Sequence, residues 1–377
     1  MTNKKLKIVA DENLALTDYF FNEVADIDYM AGRGITAADI STTDALLIRS
    51  VTKVNAALLA DSPVQFIGSA TIGTDHIDLD LLKQKGISFA NAPGCNAQAV
   101  AEYVITAILT LQPQLVLAGK TMCLGIVGLG NVGRRLAILA RRLDWRVLAY
   151  DPFVRLDTFK GFAFDQTGGK QSGIEQLSFE QVLAQSDALS LHVPLTKNQP
   201  HATYHLMDAA ALSQLKPHCM LINSARGEVV SEQALLADIA TSKRQVVLDV
   251  FEHEPKISQQ LLNQLALATP HIAGYSLEGK ARGTQMIYQA FCQHYDLTAS
   301  KQFASQLPQM AQLFKSEQTL AHQLLPLLPQ LYPIQADDQA LRGCVNQSGF
   351  VDGQDFDHLR KTYPLRREWA AYGDQNN

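Results

Sequence analysis

Residues 123–137 read CLGIVGLGNVGRRLA, with Gly128, Gly130 and Gly133 in GxGxxG spacing. That spacing alone is a weak signal. Here an apolar run precedes it, an amphipathic stretch follows it, and a second apolar run, RVLAYD (146–151), comes next. Strand, tight turn, helix and strand in that order are the context a dinucleotide-binding loop requires. Gly128 lets the chain turn tightly, Gly130 lets backbone approach a pyrophosphate, and Gly133 lets the helix pack on the strand. The helix then begins at Asn131 and Val132, whose N–H groups and partial positive charge suit phosphate. A glycine turn of purely structural purpose is the plain alternative, and an S-adenosylmethionine loop is a lesser rival.

Asp151 ends the second apolar run, eighteen residues beyond Gly133. A carboxylate there accepts hydrogen bonds from the ribose hydroxyls of NAD and repels the 2′-phosphate of NADP. Arg155, four residues on, blurs that preference.

Working outward, the β-then-α rhythm continues in both directions. Downstream lie ALSLHVP (188–194), MLINSA (220–225), QVVLDVF (245–251) and LALATPHIAG (265–274). With the first two runs they make six, the number expected of a complete dinucleotide-binding domain. Upstream, LKIVA, ALLIRS, FIGSA and SFANAP read as further strands, with helix-like pieces at Leu14–Val24 and Val54–Leu59. Residues 97–117 read as one long apolar helix that Pro113 ends or kinks. Phe162–Gly173, polar and rich in glycine, reads as a surface loop. After about Leu297 the pattern turns to Gln- and Leu-rich helical pieces.

The fold class expected is therefore α/β: two doubly wound, parallel-sheet (Rossmann-like) domains plus a small C-terminal α+β unit, which as a late appendage without chemical motifs reads as an oligomerisation element, and which the resemblance given below makes a dimerisation domain. The expected boundaries are 1–96 for a substrate domain completed by about 274–290, 97–273 for the NAD-binding domain, and 291–377 for the dimerisation domain.

Hydride transfer from an alcohol needs a base for the hydroxyl proton, a partner that tunes the base, and a cation to hold the substrate. His271 in TPHIAG suits the base. Glu254 in DVFEHEP suits the partner, since a carboxylate on an imidazole favours its protonated form and fixes the tautomer. Arg226 in INSARG suits the cation, because its planar fork grips a carboxylate with two hydrogen bonds. All three follow separate strand-like runs. Singly, each has an ordinary explanation as a turn histidine, a solvated acid before Pro255 and a surface ion pair.

In succession, GLGNVG, YDP, HVPLT, INSARG, DVFEHEP and PHIAG resemble the D-isomer-specific 2-hydroxyacid dehydrogenase family over nearly the whole chain. IRSVTKVN, GTDHID, PGCNAQAVAEYV and AGYSLEGKARGT narrow the likeness to a branch acting on a phosphorylated 2-hydroxy acid. That resemblance implies NAD-dependent oxidation of 4-phospho-D-erythronate to 2-oxo-3-hydroxy-4-phosphobutanoate in pyridoxal 5′-phosphate synthesis. It implies catalysis by Arg226, Glu254 and His271, and substrate contacts from Ser50, Thr71 and Tyr275. It implies a cofactor lining of Gly128, Gly130, Asn131, Val132, Gly133, Asp151, Val193, Ser224, Ala225, Arg226, Asp249 and Gly274. It also likens LRKTYPLRREW (359–369) to a dimerisation domain, so a homodimer is expected. Two departures stand out. Asp144 and Trp145 precede the second strand where glycine is frequent in the family, and Val193 stands where threonine is common.

Hydrophobic residues make up 47% and charged residues 18% of the 377, which indicates globular rather than disordered chain. A net charge of −5 without charge blocks argues against a nucleic-acid partner. No stretch is long and apolar enough for a membrane span. Five scattered cysteines form no disulfide or zinc pattern, so a cytoplasmic location and no metal are expected. His201 and His205 in HATYH read as a polar helix-start pair, GTDHID as turn and cap chemistry, and RRLAILARR as a solvated helix face. Arg49, Lys53, Lys280 and Arg282 are candidates for the substrate phosphate. Rival readings are another 2-hydroxyacid dehydrogenase, acting on 3-phosphoglycerate, hydroxypyruvate or glycerate, and a non-catalytic regulator that senses NAD(H).

Overall fold

The computed structural model describes residues 5–117, 122–154, 174–315 and 318–374. Arg155 and the Phe162–Gly173 stretch lie outside the described residues. The chain divides into two compact units, Met1–Asn96 with Ser276–Gln309, and Ala97–Tyr275 with Met310–Asn377.

The first unit is a five-stranded parallel sheet: β1 (Leu6–Asp11), β2 (Ala25–Met30), β3 (Ala45–Ile48), β4 (Phe66–Ser69) and β5 (Ser88–Asn91), in the order β2-β1-β3-β4-β5. ALLI and FIGS are buried throughout, as strands covered on both faces must be. The helix Leu277–His294 lies on β4, and two glycines permit the approach. A Cβ on Gly68 would meet Ile287 at 3.1 Å, and one on Gly283 would meet the Ala70 carbonyl at 2.8 Å. Phe21, Phe66, Tyr288 and Phe291 fill the interface edge to face.

Three details differ from the sequence reading. The helix within Leu14–Val24 is confined to Thr17–Phe21. Val54–Leu59 forms a turn, with the Asn55 carbonyl accepting from the Leu59 N–H at 3.1 Å, and Val54, Leu58 and Leu59 bury their apolar spacing without a helix. The additional strand β2 sits at the sheet edge with acidic residues Asp26 and Asp28, a common protection for an edge.

The second unit begins with the helix Ala97–Leu111, which stops short of Pro113 before a short helix at Gln114–Leu117. Its sheet holds β6 (Cys123–Val127), β7 (Arg146–Tyr150), β8 (Ile174–Gln176), β9 (Ala188–Leu191), β10 (Met220–Asn223), β11 (Val246–Leu248) and β12 (Leu267–Ala268). All pairings are parallel, in the order β12-β11-β10-β9-β6-β7-β8. The six runs read from sequence are all strands. The seventh, β8, completes the three-strand half that begins at the glycine loop. The chain order reverses between β6 and β9, and ligands bind such sheets beyond the strand ends at that switch point.

Residues after Met310 add the helices Leu320–Leu331, Ile334–Gly343 and Gly353–Lys361 to this unit, with isolated antiparallel bridges at Val345–Val351 and Ser258–Phe350. The second of these helices seals the β12 edge. Asp338 Oδ1 accepts the Ala268 N–H at 2.8 Å, and Arg342 donates to the Leu262 and Leu265 carbonyls at 2.5 and 3.1 Å. The reading of RRLAILARR as solvated is corrected at Arg142. Its guanidinium holds the buried Asp374 carboxylate, with Nη1 to Oδ2 at 2.8 Å.

Candidate active site

The glycine loop closes the turn from β6 into the helix Asn131–Arg142. Gly128 has φ 98°, and a Cβ there would stand 2.6 Å from the His192 carbonyl oxygen at the end of β9. A Cβ on Gly133 would overlap the Gly128 carbonyl. Nothing stands within 4 Å of where a Gly130 Cβ would be, and no side chain caps this helix. The loop therefore leaves open space in front of unpaired helix N–H groups, which is the fit a pyrophosphate needs. Asp151 shapes the same corner. Its Oδ2 accepts the Leu129 N–H at 2.8 Å, and its Oδ1 accepts those of Phe153 and Val154 at 2.9 and 3.1 Å. Asp144 has φ 59°, a left-handed conformation that glycine takes up without a Cβ penalty.

After β9, burial pushes the His192 imidazole down to about 3, with Ser190 Oγ 2.9 Å from its Nε2, and Val193 follows half-buried. After β10, Asn223 organises the next turn. Its Nδ2 donates to the Arg226 carbonyl at 2.9 Å, and its Oδ1 accepts the Ala225 N–H at 3.1 Å. Ser224 Oγ is buried with no partner among the described residues, as a group that waits for a ligand would be. Arg226 Nη1 donates to the Ala225 carbonyl at 2.8 Å.

Asp249 follows β11 and ties it to the segment after β12. Its Oδ1 accepts the Thr269 hydroxyl at 2.6 Å and the Ile272 N–H at 2.8 Å, and its Oδ2 accepts the Ala273 N–H at 3.0 Å. Burial pushes this carboxyl up, and the His271 charge and the three donors oppose the shift. Its lone pairs thus serve the loop that presents His271, in addition to any role toward a cofactor.

His271 has φ 56°, and its Nδ1 lies 2.8 Å from Glu254 Oε1. Burial works to raise the Glu254 carboxyl, but the His271 hydrogen bond and charge, then Arg360, outweigh it and hold it below the usual carboxylate range. An ionised carboxylate on Nδ1 leaves Nε2 to exchange a proton with a substrate. The structure thus brings Glu254 and His271 into contact. Arg226 follows β10, and β11 is the only strand between β10 and β12. Gly274 and Tyr275 continue the His271 segment, and the Tyr275 ring meets Tyr363 edge-on at 5.9 Å.

In the first unit, Ser50 lies exposed beyond β3. Thr71 Oγ1 is 2.8 Å from Ser69 Oγ, which in turn is 3.2 Å from His76 Nε2. Asp78 caps the next helix through the Leu81 N–H, so GTDHID is turn and cap chemistry. Lys53 lines a cleft of about 600 Å³ with Arg33, Thr36 and Thr52. Arg282 donates to the Cys95 carbonyl and lies 5.5 Å from the Phe303 ring centroid, which commits it within the fold.

His201 and His205 do not start a helix. Both have positive φ and precede the helix Ala209–Ser213, whose cap is Asp208. His205 Nε2 pairs with Glu252 Oε1 at 2.6 Å, while the His201 ring meets Phe153. Sequence reasoning passed over Arg360, Tyr363 and Arg366 as neighbours of this site. The density of cations and aromatics in LRKTYPLRREW marks the stretch without showing which groups it meets.

Residues 110–273 match the D-isomer specific 2-hydroxyacid dehydrogenase, NAD binding domain family, and residues 304–375 match a domain of unknown function. The chain is 56% identical over 368 residues to erythronate-4-phosphate dehydrogenase of Acinetobacter baumannii (strain ACICU), covering 98% of this chain and 99% of that one. It is 47% identical to the enzyme of the same name from Psychrobacter arcticus, covering 98% and 100%. Among solved structures it resembles D-lactate dehydrogenase of Aquifex aeolicus complexed with NAD and lactic acid, at TM-score 0.62, 24% identity and coverage of 77% and 95%. D-2-hydroxyisocaproate dehydrogenase follows at TM-score 0.61, 22% identity and coverage of 78% and 98%. The sheet order, the glycine loop and a relative matched from end to end agree, and the chain belongs to the D-isomer specific 2-hydroxyacid dehydrogenase family.

Proposed function

We propose that the protein is an NAD-dependent dehydrogenase that oxidises 4-phospho-D-erythronate to 2-oxo-3-hydroxy-4-phosphobutanoate, in the synthesis of pyridoxal 5′-phosphate. The observation that carries this reading is the His271–Glu254 pair at 2.8 Å beyond the strand ends of a glycine-loop sheet. The substrate rests on the names of relatives 56% and 47% identical over 98% of the chain.

NAD, when bound, supplies the hydride acceptor. The Asn131–Arg142 helix N-terminus takes its phosphates and Asp151 its ribose. Arg226 holds the substrate carboxylate as a fork. His271 Nε2 takes the proton of the 2-hydroxyl, and Glu254 on Nδ1 stabilises the imidazolium that results. In the reverse direction the imidazolium returns that proton. Ser50, Thr71 and Tyr275 are assigned to the substrate on family likeness. Lys53, open to its cleft, is a better candidate for the phosphate than Arg282. The cofactor lining named from the sequence, Val193 and Gly274 included, belongs to the same proposal.

A homodimer in the cytoplasm belongs to this reading too. Five scattered cysteines without a disulfide pattern suit a reducing compartment, and no helix among the described residues is long and apolar enough to cross a membrane. Light scattering tests the dimer.

The test of function is NADH formation, followed by absorbance with 4-phosphoerythronate, 3-phosphoglycerate and glycerate side by side, with an oxo acid present to turn over retained NADH. Preference for 4-phosphoerythronate, abolished by His271→Ala, supports the reading. Preference for another acid replaces the substrate, and NADH binding without turnover of any acid favours a regulator.

A further inference from the structure

An arginine of the C-terminal segment reaches the loop that carries His271. Arg366 Nη1 donates to the carbonyls of Ile272 and Tyr275, at 3.1 Å each. Its Nη2 donates to the carbonyl of Ala99 at 3.0 Å and to that of Ala273. Three of these four acceptors lie within four residues of His271. The guanidinium also stacks 4.3 Å from the centroid of the Tyr332 ring.

His271 needs such support. Its φ of 56° is a conformation that a non-glycine residue keeps only where its surroundings over-determine it. Asp249 takes the N–H groups of Ile272 and Ala273, and Arg366 takes the carbonyls of the same two residues. The backbone after the imidazole is therefore gripped from both sides, once by the nucleotide-binding sheet and once by the C-terminal segment.

Tyr275 is held by the same segment. Its ring packs on Tyr363, whose hydroxyl donates to Asp337 Oδ2 at 3.0 Å.

We propose that Arg366 is a positioning residue of the reaction, through which the C-terminal segment sets how the His271 imidazole and Tyr275 face the substrate. This rests on the reading of His271 as the base. It gives the stretch that matches a domain of unknown function a part in the chemistry.

The test uses the full chain with Arg366→Lys, which keeps the charge but not the fork. The variant lowers kcat about tenfold, the loss expected when hydrogen bonds from a charged group are removed. The KM for 4-phosphoerythronate and the NADH dissociation constant stay within about threefold. The amides of Ile272–Tyr275 exchange hydrogen faster while those of β6, β9 and β10 stay protected. Unchanged kcat or wild-type exchange in Arg366→Lys would each overturn the proposal. Should the wild type turn over no phosphorylated acid, the functional reading fails, and the exchange measurement still decides whether the arginine holds the loop.

Discussion

Glu254→Gln isolates the charge on the imidazole from its shape. The variant keeps volume and can still accept from Nδ1, but it cannot neutralise an imidazolium. The pair spans 2.8 Å, with the glutamate side chain 20% and the histidine side chain 36% exposed. At that exposure the charge is partly screened, so the lower part of the range for charge-assisted bonds applies, about 1.5–2 kcal/mol rather than 3. On the proposed mechanism the imidazolium forms as the proton leaves the substrate, so this loss falls on the transition state. Converted to rate it is about tenfold to thirtyfold in kcat/KM. The assay is initial-rate NADH formation with 4-phosphoerythronate, beside fluorescence titration of NADH. The NADH dissociation constant is expected to stay within about twofold. A kcat/KM within threefold of wild type would refute the assignment of Glu254, and a loss confined to KM would show that it serves binding instead.

Three further outcomes follow from the geometry. An unfolded histidine takes a proton near 6.5 while desolvation makes the half-buried His192 resist protonation down to about 3, so stability falls as pH drops through that window. His192→Asn should flatten the decline in urea midpoint between pH 7 and 5, and an unchanged decline would exonerate His192. Asp144→Gly relieves a left-handed residue and should raise stability by about 0.5–1 kcal/mol with turnover unchanged, so a lower denaturation midpoint contradicts it. Gly133→Ala forces the Asn131–Arg142 helix away from the Gly128 carbonyl and should weaken NADH binding about tenfold or more, whereas wild-type affinity would remove the loop from the cofactor site.

The sequence made the nucleotide-binding sheet legible because its strands are buried on both faces and so read as unbroken apolar runs. It hid β2 and β8 for opposite reasons. β2 alternates acids with apolar residues at a sheet edge, and β8 is three residues long and, among the described residues, pairs with β7 alone. Val54–Leu59 imitated a helix because a buried turn uses the same spacing. His271 and Glu254 were readable because both follow strand-like runs and their chemistry is complementary. Arg366 was not, since the carbonyls it binds lie more than 90 residues upstream and carry no side-chain signature. The same blindness made Arg142 look solvated, because its partner Asp374 arrives from 232 residues away.

The seal on β12 has a consequence for biosynthesis. The acceptor for the Ala268 N–H lies 70 residues downstream, in a stretch that leaves the ribosome well after the sheet itself. A nascent chain that has emerged only through β12 carries a bare strand margin, and such margins recruit other strands. Fragments stopped just before Ile334 should therefore self-associate on release, and supplying Ile334–Gly343 as a separate peptide should suppress the clumping.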